Sequence, residues 1–155
     1  MEIEIVKNSI LEIRGKKVIL DFELAKLYGS ETKRIKESVR RNSKRFPIDF
    51  MFELTPDEWT NLRSQFASSS WGGQRYLPFA FTEQGVAMLS SVLNSDRAIE
   101  VNIAIMRAFV MMRQLALTHQ ELSARLDALE QQYGQKFSDI EQVLNFLIQI
   151  GRAHV

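Results

Sequence analysis

Between Leu20 and Pro47 the chain is punctuated in a way that leaves few folds open. Asp21 offers an N-cap to a short helix, Phe22 to Tyr28, and Gly29 ends it at a position suited to positive φ. Ser30 is expected to cap a second helix running to about Arg45, where Pro47 stops it. Two helices joined by one tight turn make a helix-turn-helix-like unit. Ala25 is the small residue at the crossing, and Leu24, Tyr28, Ile35 and Val39 supply the packing.

The second helix is unusual in its charge. Over the whole chain the net charge is only +1, which taken alone argues against a polyanionic partner. From Lys26 to Arg45, however, Lys26, Lys33, Arg34, Lys36, Arg40, Arg41, Lys44 and Arg45 are opposed only by Glu31 and Glu37, a local net of +6. From Ala80 onward six basic residues meet eight acidic ones. Distribution matters more than the sum.

At about 100° per residue, Ile35 and Val39 form the inward stripe and Lys33, Glu37, Arg40 and Lys44 the opposite face. Arg34, Lys36 and Arg41 flank that row, and Arg45 closes the run. A major groove admits one helix between walls of phosphate, so double-stranded DNA is the expected partner. Ordinary solvated faces alternate in sign so that i,i+4 pairs form, and this one does not. Glu37 either bridges Lys33 and Arg41 or accepts a hydrogen bond from a cytosine amino group.

A second contact to the backbone is expected from Arg63, the Ser68-Ser69-Ser70 run, Trp71 and Arg75, in the manner of a wing. The competing reading, in which Trp71 pins the loop and the serines are solvated, stands beside it. Gly72 and Gly73 make no phosphate loop, because neither a Lys-Ser/Thr pair nor a helix start follows them.

The flanking segments predict an α+β fold, with small β-hairpins around the helix-turn-helix-like unit and a long C-terminal helix after it. Ile10–Ile13 and Val18–Leu20 read as a hairpin with Gly15 in its turn. Phe50 to Leu54 reads as a half-buried strand, and Thr55-Pro56-Asp57-Glu58 is a capping box with Pro at the first helical position. Trp59, Leu62 and Phe66 follow at helical spacing. Arg75 to Phe81 reads as a strand in this pattern, and Thr82 is expected to cap a helix through Leu93.

From Asp96 a much longer helix is expected. Taking Met112 as an a position gives a heptad with a = Met112, His119, Leu126, Tyr133, Ile140 and Leu147. The d positions are Leu115, Leu122, Leu129, Lys136, Val143 and Ile150, so only His119 and Lys136 are not apolar. Such a seam predicts a coiled coil. Gly134 leaves open a bend into a helical hairpin, but an intermolecular coil is the favoured reading. Leu115, Leu122, Leu126, Leu129, Tyr133, Ile140, Val143 and Leu147 would then hold a homodimer. Two regions result: residues 1–95 as a DNA-binding domain, and 96–155 as a helix that completes it and continues as the coil.

Catalytic chemistry finds few parts. Cysteine is absent and the two histidines, His119 and His154, lie in the tail, so no nucleophile–base pair and no metal cluster is expected. Asp49, Glu53, Asp57 and Glu58 are the acidic residues near the basic segment, and the last two already serve the helix start. No cofactor and no small-molecule substrate are expected. The N-terminus lacks the pattern of a signal peptide and no uninterrupted apolar stretch spans a bilayer, which makes the cytoplasm the default.

The segments IRGKKVIL, LDFELAKLYGSETKRIKESVRRNSKRFPIDFMFELT and LRSQFASSSWGGQRYLPFAFTEQGVAMLSSVLNSDRAIEVNIAIMRAFV closely resemble the ORF-six-N domain, a phage and bacterial family related to the KilA-N and BRO-N families. The resemblance covers roughly Ile10 to Arg113. It implies a DNA-binding domain of phage antirepressor-like and regulatory proteins, often joined to a variable C-terminal region, and it identifies no contact residues. The alternative is a protein-interaction module that captures another regulator through the coil.

Overall fold

The computed structural model describes residues 3–65 and 76–153. A short helix α1 (Ile3–Ser9) leads into strands β1 (Ile10–Ile13) and β2 (Lys16–Leu20). Helices α2 (Asp21–Tyr28) and α3 (Thr32–Arg41), a 3-10 turn (Ser43–Arg45) and strand β3 (Met51–Glu53) follow. Then come α4 (Pro56–Gln65), β4 (Phe79–Phe81), α5 (Glu83–Leu89) and α6 (Asp96–Ala153). The fold is α+β. Its first compact unit extends to Met112, and Arg113–Val155 forms the second.

Every strand pair is antiparallel, in the order β1-β2-β4-β3. Ile13 pairs with Lys16, so β1 and β2 are joined by two residues, Arg14 (φ 55°) and Gly15 (φ 72°). Two positive φ angles in succession are what a type I′ hairpin requires. The turn thus needs Arg14 as well as Gly15. Arg14 is held there from outside: its Nε and Nη2 donate to Glu58 at 2.9 Å each, and its guanidinium lies 4.2 Å from the Phe52 ring centre.

Side chains alternate across this sheet with period two. Ile10, Ile19, Phe79 and Phe81 join a core built with Val6 of α1, Leu24 and Tyr28 of α2, and Ile35 and Val39 of α3. Val86 and Leu89 of α5 and Val101, Ile105, Ala108 and Phe109 of α6 complete it. On the other face Ile13, Val18, Leu20, Phe52 and Ala80 pack with Phe22, Trp59 and Leu62, so α4 covers that side. The core helix α1 carries no cap or period strong enough to announce it in the sequence.

The capping box forms as expected: the Thr55 N–H donates to Glu58 Oε1 at 2.9 Å and the Glu58 N–H to Thr55 Oγ1 at 3.2 Å. Thr82 accepts the Gly85 N–H at 3.3 Å, but α5 stops at Leu89 and not at Leu93. Strand β4 begins at Phe79; Phe66 and residues 67–75 lie outside the described residues. Through Gly134 the chain stays helical, with open space around that residue, so no hairpin bend is present there.

Past Met112 the tail helix exposes the whole proposed seam: Leu115, Leu122, Leu126, Leu129, Tyr133, Ile140, Val143 and Leu147 are all at least 36% accessible. One window of α6 reaches a mean hydropathy of 1.2, long and apolar enough to cross a bilayer. A third of that window is buried inside the fold.

Candidate nucleic-acid interface

Helices α2 and α3 form the expected unit, and its turn is built from backbone geometry. Gly29 adopts the left-handed conformation (φ 66°), and the Ser30 N–H reaches back to the Ala25 carbonyl at 2.9 Å. Ser30 therefore closes α2 and does not cap α3. Glu31 occupies the cap position without a side-chain hydrogen bond. Arg97 of α6 sits over the same turn, with its Nε 3.1 Å from where a Cβ on Gly29 would stand. Tyr28 donates its hydroxyl to Asn102 Oδ1, tying α2 to α6, and burial pushes the phenol pKa up.

Asp21 is the first residue of α2 rather than its cap, which is Leu20. Its carboxylate is buried, 1% accessible, at the junction of three elements. Oδ1 accepts the Phe22 N–H at 2.7 Å, Oδ2 accepts the Phe79 N–H at 2.9 Å, and Lys36 Nζ lies 3.4 Å away. Burial raises the carboxyl above its usual range, against the pull of those two N–H groups and Lys36.

Lys36 is the main correction to the sequence reading. Expected on the flank of the DNA-facing row, it is 7% accessible and points at the sheet. Its ammonium donates to the Leu77 carbonyl at 2.6 Å and stands 4.7 Å from the Phe79 ring centre. A side chain at that helical angle is close enough to the inward stripe for a long stem to turn under the helix. The buried acceptor, Asp21, made it do so. Asp21 itself was explained locally as a cap, so no sequence signal connected the two.

The remaining cations behave differently. Lys33, Arg34, Arg40 and Arg41 are exposed on α3, as is Glu37, while Ile35 and Val39 are buried at 1% and 3%. None of these four cations forms an ion pair among the described residues, and Glu37 bridges neither Lys33 nor Arg41. Arg40 leans over Phe79 with its guanidinium 5.9 Å from the ring centre. Arg34, Glu37 and Arg41 form one wall of a groove of about 460 Å³ whose opposite wall includes Asn94 and Ser95.

Lys44 and Arg45 also differ from expectation. The α-helix ends at Arg41, where Asn42 turns its side-chain amide back onto the Ser38 carbonyl at 2.8 Å. Such local bonds compete with helix continuation. Both basic residues are exposed on the 3-10 turn, off the α-helical row, and Arg45 Nη1 donates to Ser91 Oγ at 3.2 Å.

Arg63 is exposed on α4, whose apolar side packs on the opposite face of the sheet from α3. Its guanidinium stacks 5.3 Å from the Trp59 ring centre. No contact brings it beside the α3 cations. Arg75, Trp71 and the Ser68–Ser70 run lie outside the described residues. No cluster of three or more metal-ligating side chains occurs among the described residues.

A basic helix carried on a helix-turn-helix-like unit and backed by a small antiparallel sheet defines the class. Residues 8–92 match the family model of the ORF6N domain, and the chain belongs to that family. No curated protein and no solved structure matches the chain.

Proposed function

We propose that the chain is a sequence-specific binder of double-stranded DNA, a phage-type regulator of transcription or an antirepressor-like protein, and not an enzyme. The observation that carries this reading is the outward face of α3. Four exposed cations, Lys33, Arg34, Arg40 and Arg41, stand there without counter-ions among the described residues, beside the Glu37 carboxylate. Lys44 and Arg45 extend the positive surface past the helix end. Self-repulsion of that kind is relieved by phosphates, and Glu37 on the same face would accept from a cytosine amino group. Membership of the ORF6N family supports the same reading.

The exposed seam from Leu115 to Leu147 supports a homodimer through the tail, which would present two α3 helices to a bipartite operator. Duplex binding measured across salt concentration tests the proposal. Each phosphate contact contributes about −0.9 to the slope of log affinity against log salt, so four contacts give a slope near about −3.6. Arg40→Ala and Lys33→Ala should each weaken binding and reduce the slope by about 1 while leaving association intact. No duplex binding at low salt would sink the reading in favour of a protein-capturing module.

A further inference from the structure

Helix α6 has a second apolar face that lies largely outside the core, only its Met106 packing against it, and apart from the heptad seam. Within the first compact unit, Ala98, Val101, Ile105 and Ala108 turn into the domain. Rotated well away from them, Ile99, Ile103, Met106 and Val110 form a stripe at spacings of four, three and four. Ile99, Ile103 and Val110 are 51%, 47% and 43% accessible, and Met106 is partly buried. At 1.5 Å per residue the stripe runs about 16 Å. Beside it lies a groove of about 440 Å³, whose far side is made by the small residues Ala87 of α5 and Ser90 just past its end. Small residues there allow a helix to approach closely.

We propose that this face pairs with the same face of a second copy, with the two α6 helices antiparallel. The residues are self-complementary about a twofold axis placed between Ala104 and Ile105. Ile99 then faces the other copy's Val110, and Ile103 faces its Met106, filling the groove. Charge selects the direction. Asp96 and Glu100 flank the stripe at its start and Arg107 toward its end, so the antiparallel pair sets acid beside base. A parallel pair would carry Glu100 and Arg107 to the opposite edges of the contact and lose that match. The contact is independent of the tail seam, which lies beyond Met112.

The chain contains no cysteine, so a crosslink can be placed without background. Full-length Ile99→Cys and Val110→Cys variants, one carrying a mass tag, are oxidised each alone and as a mixture. The expected result is a mixed disulfide dimer in the mixture at several times the yield of either variant alone, since like positions lie about 16 Å apart along the antiparallel pair. It should persist when Leu126→Asp is added to both chains to disrupt the tail. Self-linking of Ile99→Cys alone would mean a parallel pair and overturn the proposal, as would a mixture no more reactive than a Ser123→Cys control. Loss of the mixed crosslink in the Leu126→Asp background would equally refute an independent interface.

As a second measurement, Ile99→Glu/Ile103→Glu should halve the mass seen by light scattering. Both residues are about half exposed, so helicity and melting should be retained. An unchanged mass with retained fold refutes the contact.

Discussion

Replacing Lys36 by Met separates the two roles a lysine on α3 can have. Removing the ammonium takes away the donor to the Leu77 carbonyl and leaves Asp21 buried with no paired cation among the described residues. Breaking one half of a buried pair costs about 3–5 kcal/mol when nothing else holds the remaining charge. Here the Phe22 and Phe79 N–H groups still hold it, so the loss falls at the lower end, about 3 kcal/mol. That is a large part of the ~5–15 kcal/mol that stabilises a domain.

In urea, with Trp fluorescence as readout, the midpoint should fall by at least about 1 M. The deficit should also depend on pH. Burial holds the Asp21 carboxyl above its usual range, and without Lys36 it rises further. The folded form then binds the proton more tightly than the unfolded chain. The deficit is therefore full above the variant's raised value and recedes as pH falls to the wild type's own, because the unfolded chain titrates alike in both. Meanwhile the salt slope of duplex binding, measured on the folded variant, should equal that of the wild type. A wild-type urea midpoint combined with a salt slope reduced by about 1 would refute this reasoning and return Lys36 to the DNA face.

Gly85→Ala should destabilise strongly, because its Cβ would stand 1.9 Å from the Phe50 carbonyl oxygen, which also accepts the Thr82 N–H. A loss of at least about 3 kcal/mol is expected, and a wild-type melting temperature would show that α5 is not seated there. The Glu58 carboxyl is held down to about 2, first by the Arg14 guanidinium and also by the Thr55 N–H. It thus contributes stability above pH about 4.5 that is lost as pH falls toward 2. Melts at pH 7 and pH 3 should show a smaller difference in Arg14→Gln than in the wild type; equal differences would remove Arg14 from that role. Gly134→Ala should stabilise the tail helix by about 1 kcal/mol and increase ellipticity at 222 nm. A decrease would point to a bend at that position.

Much of the fold was legible locally. The Arg14-Gly15 turn, the Thr55–Glu58 capping box, the Gly29 stop, the Thr82 cap and the inward pair Ile35–Val39 each depend on residues within a few positions of one another. Neighbour-dependent chemistry of this kind is written in order along the chain. Strand limits and the end of α3 were less legible. There the outcome turned on competition, as when the Asn42 side chain bonds the Ser38 carbonyl and breaks the helix before Pro47 can.

The basic surface shows the division most clearly. Sequence alone determined that α3 would be cationic and which stripe would turn inward, because a helix repeats every 3.6 residues wherever it is placed. It also determined that residues beyond Met112 would be helical with an apolar seam, but Gly134 left a bend open, and the continuous helix is what the structure shows. Only the tertiary structure decided that Lys36 leaves the surface. Its partner, Asp21, lies fifteen residues away, and the backbone group beside it belongs to a strand almost sixty residues from Asp21. A buried carboxylate needs a cation and N–H donors, and which ones it finds is settled by how the sheet brings β4 against α2 and α3.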